Sequence, residues 1–282
     1  MPSPRDISHK VLTRAQLAGQ LTELGVRPGD VLLVQASLRA LGPVAGDGAV
    51  VDALLDALGG PEEGTLVAYT ATPENSDTSR LVRTMTATWT PEQVAAWRAG
   101  MPPFDPAETP SSPTMGRLSE LVRTHPGAVR STHPQSSFAA IGARAKEITE
   151  LHPLECHLGT DSPLGRMYEI DARVLSIGVE PAKFTAFHLA DLRMPDIPVR
   201  HYGCVVKDGG RSQWVRFDGP LLDDLHFQVL GEEVLRRATG VVTGRVGGAS
   251  CRLVPMREAV DLAVGILHER PELRPGAPQL GD

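Results

Sequence analysis

Residues 187–193 read FHLADLR, a short loop after the apolar run VLSIGV. Positions three apart share one face of a helix, so His188 and Asp191 can look into the same crevice. The chemistry open to such a pair is proton transfer. A neutral imidazole takes a proton from an amine, and a neighbouring carboxylate orients the ring. A histidine near a helix N-terminus feels the positive end of the dipole, which favours the neutral form. Asp191 pulls the other way, so the sequence leaves the net shift unsigned. Without a crevice, the same pair is an ordinary half-buried, hydrogen-bonded histidine beside an acid.

Three further groups have chemically useful residue types. HPLECH brings His152, Cys156 and His157 together, but a structural zinc needs four ligands from paired spacings. No second pair matches, so no metal is expected. RFDGPLLDD supplies Asp218, Asp223 and Asp224, acids suited to a cationic ligand and equally suited to a solvated loop. The apolar run VLLV ends in Gln35, Ala36 and Ser37, where a turn at a strand's carboxyl end can offer backbone N–H donors. The sequence has no GxxxxGK, GxGxxG, GxSxG or HExxH motif, which removes the simplest nucleotide, hydrolase and zinc-protease readings.

The elements that must position these residues follow from pattern. LTRAQLAGQLTELG opens with Thr13 and Gln16 in capping-box spacing. VLLVQAS is a strand, DGAVVDALLDALGG a helix and TLVAYTA a strand. That order implies an α/β layered fold with parallel pairing. From Pro73 to about Pro113 the pattern breaks down, and only TPEQVAAWRAG reads as a helix, with Thr90 as cap, Pro91 at the first position and Gln93 completing a second capping box. This stretch is expected to be an excursion over the active face. GRLSELVRTHPG, ARAKEITELH and SPLGRMYEI are helices, SSFAAIG and ARVLSIGV are strands, and TAFHLADLR is the helix carrying the pair. In open α/β sheets, ligands bind where strands end. Ser162 and Pro163 open a capped helix whose N-terminus can take an anion. The last third changes character. HYGCVVKDGGRSQWVRF and VVTGRVGGASCRLV are hairpins, each followed by a helix, and 271–282 is a loose tail. The expected architecture is one α/β domain over 1–282. It has a mixed, mostly parallel sheet flanked by helices, a core at about 13–205, and a smaller C-terminal hairpin and helix part at about 200–270.

Composition sets outer limits. The 282 residues are 41% hydrophobic and 22% charged, with a net charge of -6 and no basic stripe. This argues against a nucleic-acid partner, and a cationic substrate is compatible. Cys156, Cys204 and Cys251 form no disulfide framework. MPSPRDISHK has no apolar leader, and no run reaches membrane-spanning length. A soluble, cytoplasmic protein is expected.

Several segments, taken in order, go further. They are VLLVQASLRALGPVAGDGAVVDALLDALGGPEEGTLV, FDPAETPSSPTMGRLSELVRTHPGAVRSTHPQSSFAAIG, DSPLGRMYEIDARVLSIGV and FHLAD. Together they resemble the aminoglycoside 3-N-acetyltransferase family, from about residue 13 to residue 205. The resemblance implies an α/β fold distinct from the common GNAT fold. It also implies acetyl-CoA as cosubstrate, no metal, and direct transfer of acetyl to an amine of an aminoglycoside, giving antibiotic resistance. It maps the family's general base onto His188 and its acid onto Asp191, which would orient the ring or hold a sugar amine. HPxxS maps onto His133, Pro134 and Ser137, near the acceptor. Gln35, Ala36, Ser37, Met115 and Ser162 fall on the cofactor side, and Asp218, Asp223 and Asp224 fall in an acid-rich region facing the acceptor. Three departures bear on the acceptor. The family's VHSS reads Val34-Gln35-Ala36-Ser37, and its GxxHDxNT loop reads Gly178 to Thr185 without the histidine, aspartate and asparagine. The glutamate of HLAE is Asp191. Acetylation of a different amine in a biosynthetic pathway, or a catalytically weak CoA- or antibiotic-binding protein, are the alternatives.

Overall fold

The run VLLV at 31–34 is apolar at every position because its strand is covered on both faces. In the computed structural model, which describes residues 11–46 and 48–276, that strand lies in the middle of a seven-stranded sheet. The readings made on the first ten residues and on 277–282 lie outside the described residues. In chain order the elements begin with α1 (Arg14–Glu23), β1 (Val31–Ala36), α2 (Leu38–Leu41), α3 (Ala49–Ala57), β2 (Thr65–Tyr69), α4 (Arg80–Thr86) and α5 (Pro91–Gly100). Next come α6 (Arg117–Arg123), β3 (Val129–Arg130), β4 (Phe138–Gly142), α7 (Ala145–Thr149), α8 (Pro163–Glu169), β5 (Arg173–Ile177) and α9 (Phe187–Asp191). The chain ends with β6 (Val199–Asp208), β7 (Arg211–Pro220), α10 (Phe227–Arg237), β8 (Val242–Val246), β9 (Ala249–Pro255) and α11 (Met256–Glu269).

The strand order is β3-β4-β2-β1-β5-β9-β8. β1 pairs in parallel with β2 and with β5, while β4 and β9 run antiparallel to their neighbours. The sheet is therefore mixed, with a parallel centre. Side chains alternate across it. Leu33, Val67, Phe138 and Val174 face one apolar layer with α7 to α11, and Leu32, Leu66, Ile141 and Leu175 face the other with α1, α3 and α6. Thr13 and Gln16 form the expected capping box on α1, and Thr90 and Gln93 form the one on α5. Each such cap stabilises its helix by about 1 kcal/mol.

Two expectations meet a different outcome. The excursion after Pro73 holds a second helix, α4, whose Ser79 hydroxyl accepts the Val82 N–H at 3.1 Å. Its threonines and exposed Leu81 and Met85 give no helical stripe to read. The tail does not come loose at 271. Leu273 is buried, and Arg274 Nε donates to the Leu267 carbonyl at 2.9 Å.

The β6–β7 hairpin stands apart as a two-stranded sheet. The excursion is stitched to it. Asn75 Nδ2 donates to the Val205 carbonyl at 3.2 Å, its Oδ1 accepts the Val205 N–H at 3.1 Å, and Phe104 N–H reaches the same carbonyl at 3.1 Å. Both cover the carboxyl ends of β1, β2 and β5, the side where open sheets bind ligands.

Candidate active site

Beyond β5 the chain turns sharply at Gly178, where φ is 61° and a Cβ would stand 2.3 Å from that of Ala40. Only glycine takes this turn without strain. A loop then leads into α9, a single helical turn. Gln35 braces this loop from β1: its side-chain amide donates to the Lys183 carbonyl and, at 2.8 Å, to the Thr185 hydroxyl. Gly231 on α10 lets that helix close onto the loop, since a Cβ there would lie 2.4 Å from Pro181 and 3.0 Å from Phe187. The His188 ring packs against Phe227, with centroids 4.6 Å apart.

His188 lines a cavity of about 360 Å³. Tyr69 and Ala71 past β2, Met115, Gln135 and Ser136, His157, and Arg200 and Tyr202 of the hairpin share its wall. Asp223, Asp224, Arg80 and Arg83 complete it. The His188 side chain is 13% exposed. Burial pushes its pKa down to about 4, with the Asp224 charge opposing and His226 reinforcing the shift. The ring is neutral at pH 7, and the unsigned shift resolves downward. The helix dipole is not the cause, because α9 has only five residues.

Asp191 is 1% exposed and sits behind His188 rather than on the cavity wall. Its Oδ1 accepts from His226 Nε2 at 2.9 Å, while its Oδ2 has no partner and stands 3.8 Å from His188 Nδ1, which also has none. Burial raises the Asp191 carboxyl to about 6, against the lowering hydrogen bond from His226. His226 is the member that sequence reading missed. It is the N-cap of α10, and no spacing along the chain links it to residue 191.

The remaining sequence-derived residues separate. Met115, Asp223 and Asp224 do line the cavity. Gln35, Ala36 and Ser37 lie outside its lining, and the Ser37 N–H is already taken by the Ile177 carbonyl at 2.9 Å. The turn therefore supplies support rather than that donor. Ser162 is spent as a cap: its hydroxyl accepts from Leu164 N–H at 3.1 Å and donates to the Gly159 carbonyl at 2.7 Å. It borders a separate depression beside Glu147 and Arg166. Asp218 is on the outer face of the hairpin, paired with His201.

His133 is fully buried. Its Nδ1 accepts the Gln135 and Ser136 N–H groups at 3.1 and 3.2 Å, so Nε2 carries the proton and donates to the Leu154 carbonyl at 3.0 Å. Gln135 and Ser136, the residues it anchors, reach the cavity in its place. Ser137 is turned inward to Thr70 and Arg130. The His152 and His157 rings pack at a tilt against His133, with centroids 4.7 and 4.5 Å from it. Burial holds His133 at about 4 and His152 at about 3, and His157 well below its ordinary value. His157 takes the left-handed φ of 49°, uncommon for any residue with a side chain. That turns its ring toward Tyr202, 4.3 Å away by centroid. Among the described residues no three metal-ligating side chains are grouped to hold an ion. No helix there is long and apolar enough to cross a membrane.

Comparison with known proteins converges on one family. The family model described as aminoglycoside 3-N-acetyltransferase matches residues 33–268. An aminoglycoside N(3')-acetyltransferase-like protein, YokD, of Bacillus subtilis is 34% identical over 257 residues, covering 89% of this chain and 90% of its own. Aminoglycoside N(3)-acetyltransferase VII of Streptomyces paromomycinus is 33% identical over 281 residues, with 92% of each chain covered. The crystal structure of the Bacillus protein superposes with a TM-score of 0.85 at 32% identity, over 93% of this chain and 95% of that one. Sisomicin-bound AAC-VIa gives 0.81 at 30% identity over 92% and 99% of the chains, and AAC-IIIb with CoASH gives 0.79 at 28% over 92% and 97%.

Proposed function

Because the chain belongs to the aminoglycoside 3-N-acetyltransferase family, we propose that its cavity transfers acetyl directly from acetyl-CoA to a primary amine of an aminoglycoside, with His188 as general base. One observation carries the reading: a neutral imidazole on the cavity wall, whose inner nitrogen faces an otherwise unpartnered carboxylate oxygen 3.8 Å away.

The residues fit a thioester donor. Tyr69, Ala71 and Met115 give the cavity an apolar wall next to His188. When bound, acetyl-CoA supplies an activated acyl carbon. The chain's own residues supply the proton path. His188 Nδ1 is buried toward Asp191, so Nε2 is left to meet the amine. As the amine bonds to the acyl carbon and the C–S bond breaks, Nε2 takes the amine's proton, the ring becomes cationic, and it then returns that proton to the departing thiolate. A shift of about 1 Å closes the Nδ1 to Asp191 gap to hydrogen-bond length, and the carboxylate stabilises the imidazolium. His226 positions Asp191 from the other side. Tightening of this kind on ligand binding is common for catalytic hydrogen bonds. Asp223 and Asp224 supply negative charge where an ammonium approaches.

The sisomicin-bound relative and the CoASH-bound relative support the acceptor and donor classes, and a role in antibiotic resistance is part of the same proposal. The test is acetyl-CoA-dependent thiol release with kanamycin, gentamicin and a wider amine panel. His188→Ala is expected to lose roughly 10²–10⁴-fold in kcat while keeping the melting temperature. Turnover only with other amines selects the biosynthetic alternative. A CoA-induced rise in melting temperature without turnover of any amine selects a binding protein and sinks the proposal.

A further inference from the structure

Acyl transfer needs a hydrogen-bond donor for the carbonyl oxygen on which negative charge gathers. The Ser37 N–H after β1 is spent on the Ile177 carbonyl, but the cavity wall offers a different donor. Most of the neutral side-chain donors there are already engaged. Tyr202 donates to the Pro220 carbonyl at 2.7 Å, and the Gln135 amide donates to the Asn75 and Gly203 carbonyls at 3.0 and 3.2 Å. The Ser136 hydroxyl lies between His133 Nδ1 and His157 Nδ1, at 3.2 and 3.1 Å. Ser76 is bonded to Thr78, and Ser79 to the Ser76 carbonyl and the Val82 N–H. His157 Nε2 is unpartnered but buried out of reach. Tyr69 differs. Its hydroxyl has no hydrogen-bond partner among the described residues, and its oxygen is open to the cavity.

The fold aims this hydroxyl. Tyr69 is the last residue of β2, at the strand's carboxyl end. Side chains alternate along a strand, so Tyr69 projects from the same sheet face as Val67. It packs there on the apolar layer that holds Phe187, Leu189 and Phe227 around His188. Its ring lies against Phe138, its antiparallel partner on β4, with centroids 4.8 Å apart. The Asp224 charge reaches both the His188 ring and the Tyr69 phenol. Burial pushes the phenol's pKa up, and Tyr202 and Asp224 push it the same way, so the hydroxyl stays protonated and free to donate. We infer that Tyr69 is a catalytic residue whose hydroxyl donates to the acetyl carbonyl oxygen during transfer. This inference rests on the acetyl-transfer reading with His188 as base. The amine nitrogen bonds to the acyl carbon, and the carbonyl π pair moves onto the oxygen, where the Tyr69 O–H holds it. The pair re-forms the C=O bond as the C–S bond breaks, and sulfur leaves with the proton carried by His188. Tyr69 keeps its own proton throughout.

Tyr69→Phe is the test, because it removes the hydroxyl and keeps the ring on Phe138. It is expected to lower kcat by about 10²-fold or more, the effect of losing one oxyanion donor, with KM for acetyl-CoA and the melting temperature unchanged. A second readout does not depend on turnover. In infrared difference spectra, the carbonyl stretch of bound acetyl-CoA labelled with 13C at the acetyl carbonyl should lie lower in the wild-type protein than in Tyr69→Phe, because the phenol hydrogen bond weakens the C=O bond. Equal stretches in the two proteins overturn the inference and leave the reaction standing. So does an unchanged kcat, or a loss confined to KM for the acceptor, which would make Tyr69 a contact of the acceptor instead. If the wild-type protein releases no thiol with any amine, the acetyl-transfer reading fails, and the carbonyl stretch still decides whether Tyr69 reaches the acetyl group.

Discussion

Two groups of histidines lie within the same fold and share one electrostatic consequence of burial. In the first, His152 and His157 each pack at a tilt against His133, and the three bond to backbone and hydroxyl groups. In the second, His188 and His226 flank Asp191. Burial lowers His133 and His188 to the same level, about 4 in each case. Neutrality alone therefore does not make a base. His133 has both nitrogens occupied, and a proton arriving there would find no anion. His188 has an open edge on the cavity and a carboxylate behind it. The difference lies in the partners and not in the pKa.

The comparison breaks most severely at His188 itself: His188→Ala should remove activity by the factor given above, whereas His133→Ala should leave kcat at permissive temperature within a few-fold. His133→Ala should instead cost about 3 kcal/mol of stability, because two buried N–H groups lose their acceptor. That is a melting temperature lower by roughly 6–12 °C. Activity loss in His133→Ala without destabilisation would erase the distinction between the groups. His226→Ala should fall between the two. It strips Asp191 of its one hydrogen bond, with a cost of about 2–4 kcal/mol at pH 8 that shrinks at pH 5, where the raised Asp191 carboxyl is neutral. Its kcat should drop about 10-fold, and His226→Asn should recover part of the loss.

Acid sharpens the contrast further. The three clustered histidines have folded-state pKa values below the unfolded value of about 6.5, so their stability contribution is complete above pH 6.5. It is lost as pH falls toward about 4, where the unfolded chain has taken up protons first. Asp191, raised to about 6, acts in the opposite sense and favours the folded state more as pH falls from 6 toward 4. One carboxyl offsets only part of three imidazoles, so the melting temperature should fall between pH 6.5 and 4, and His133→Asn should flatten that slope. kcat/KM should rise through about pH 6 as Asp191 ionises, and Asp191→Asn should abolish this limb. The smallest effects belong to residues outside both groups. Ser162→Ala should cost about 1 kcal/mol as a lost cap with KM for acetyl-CoA unchanged, and Asp218→Asn, on an exposed pair, should alter neither stability nor KM by more than about 0.5 kcal/mol equivalent.

Short-range chemistry was legible along the chain. The capping boxes at Thr13 and Thr90, the cap at Ser162 and both hairpins depend on residues a few positions apart, and local hydrogen bonding dictates them. The alternating layers of the sheet were legible because strand periodicity reports two-sided burial. The position of His188 past a strand's carboxyl end followed from the same reading. The residues that complete the site were not legible, because the contacts that define them join distant segments. Asp191 meets His226 across 35 positions, Gln35 braces Thr185 across 150, and Arg80 reaches Asp224 across 144. Sequence alone determined which side chains could titrate and where the strands would end. The tertiary structure decided which of them were desolvated, which nitrogens were already spent, and which charges shared a cavity. Solvation and partner geometry are properties of space rather than of chain order, and they set whether an imidazole is a base or a brace.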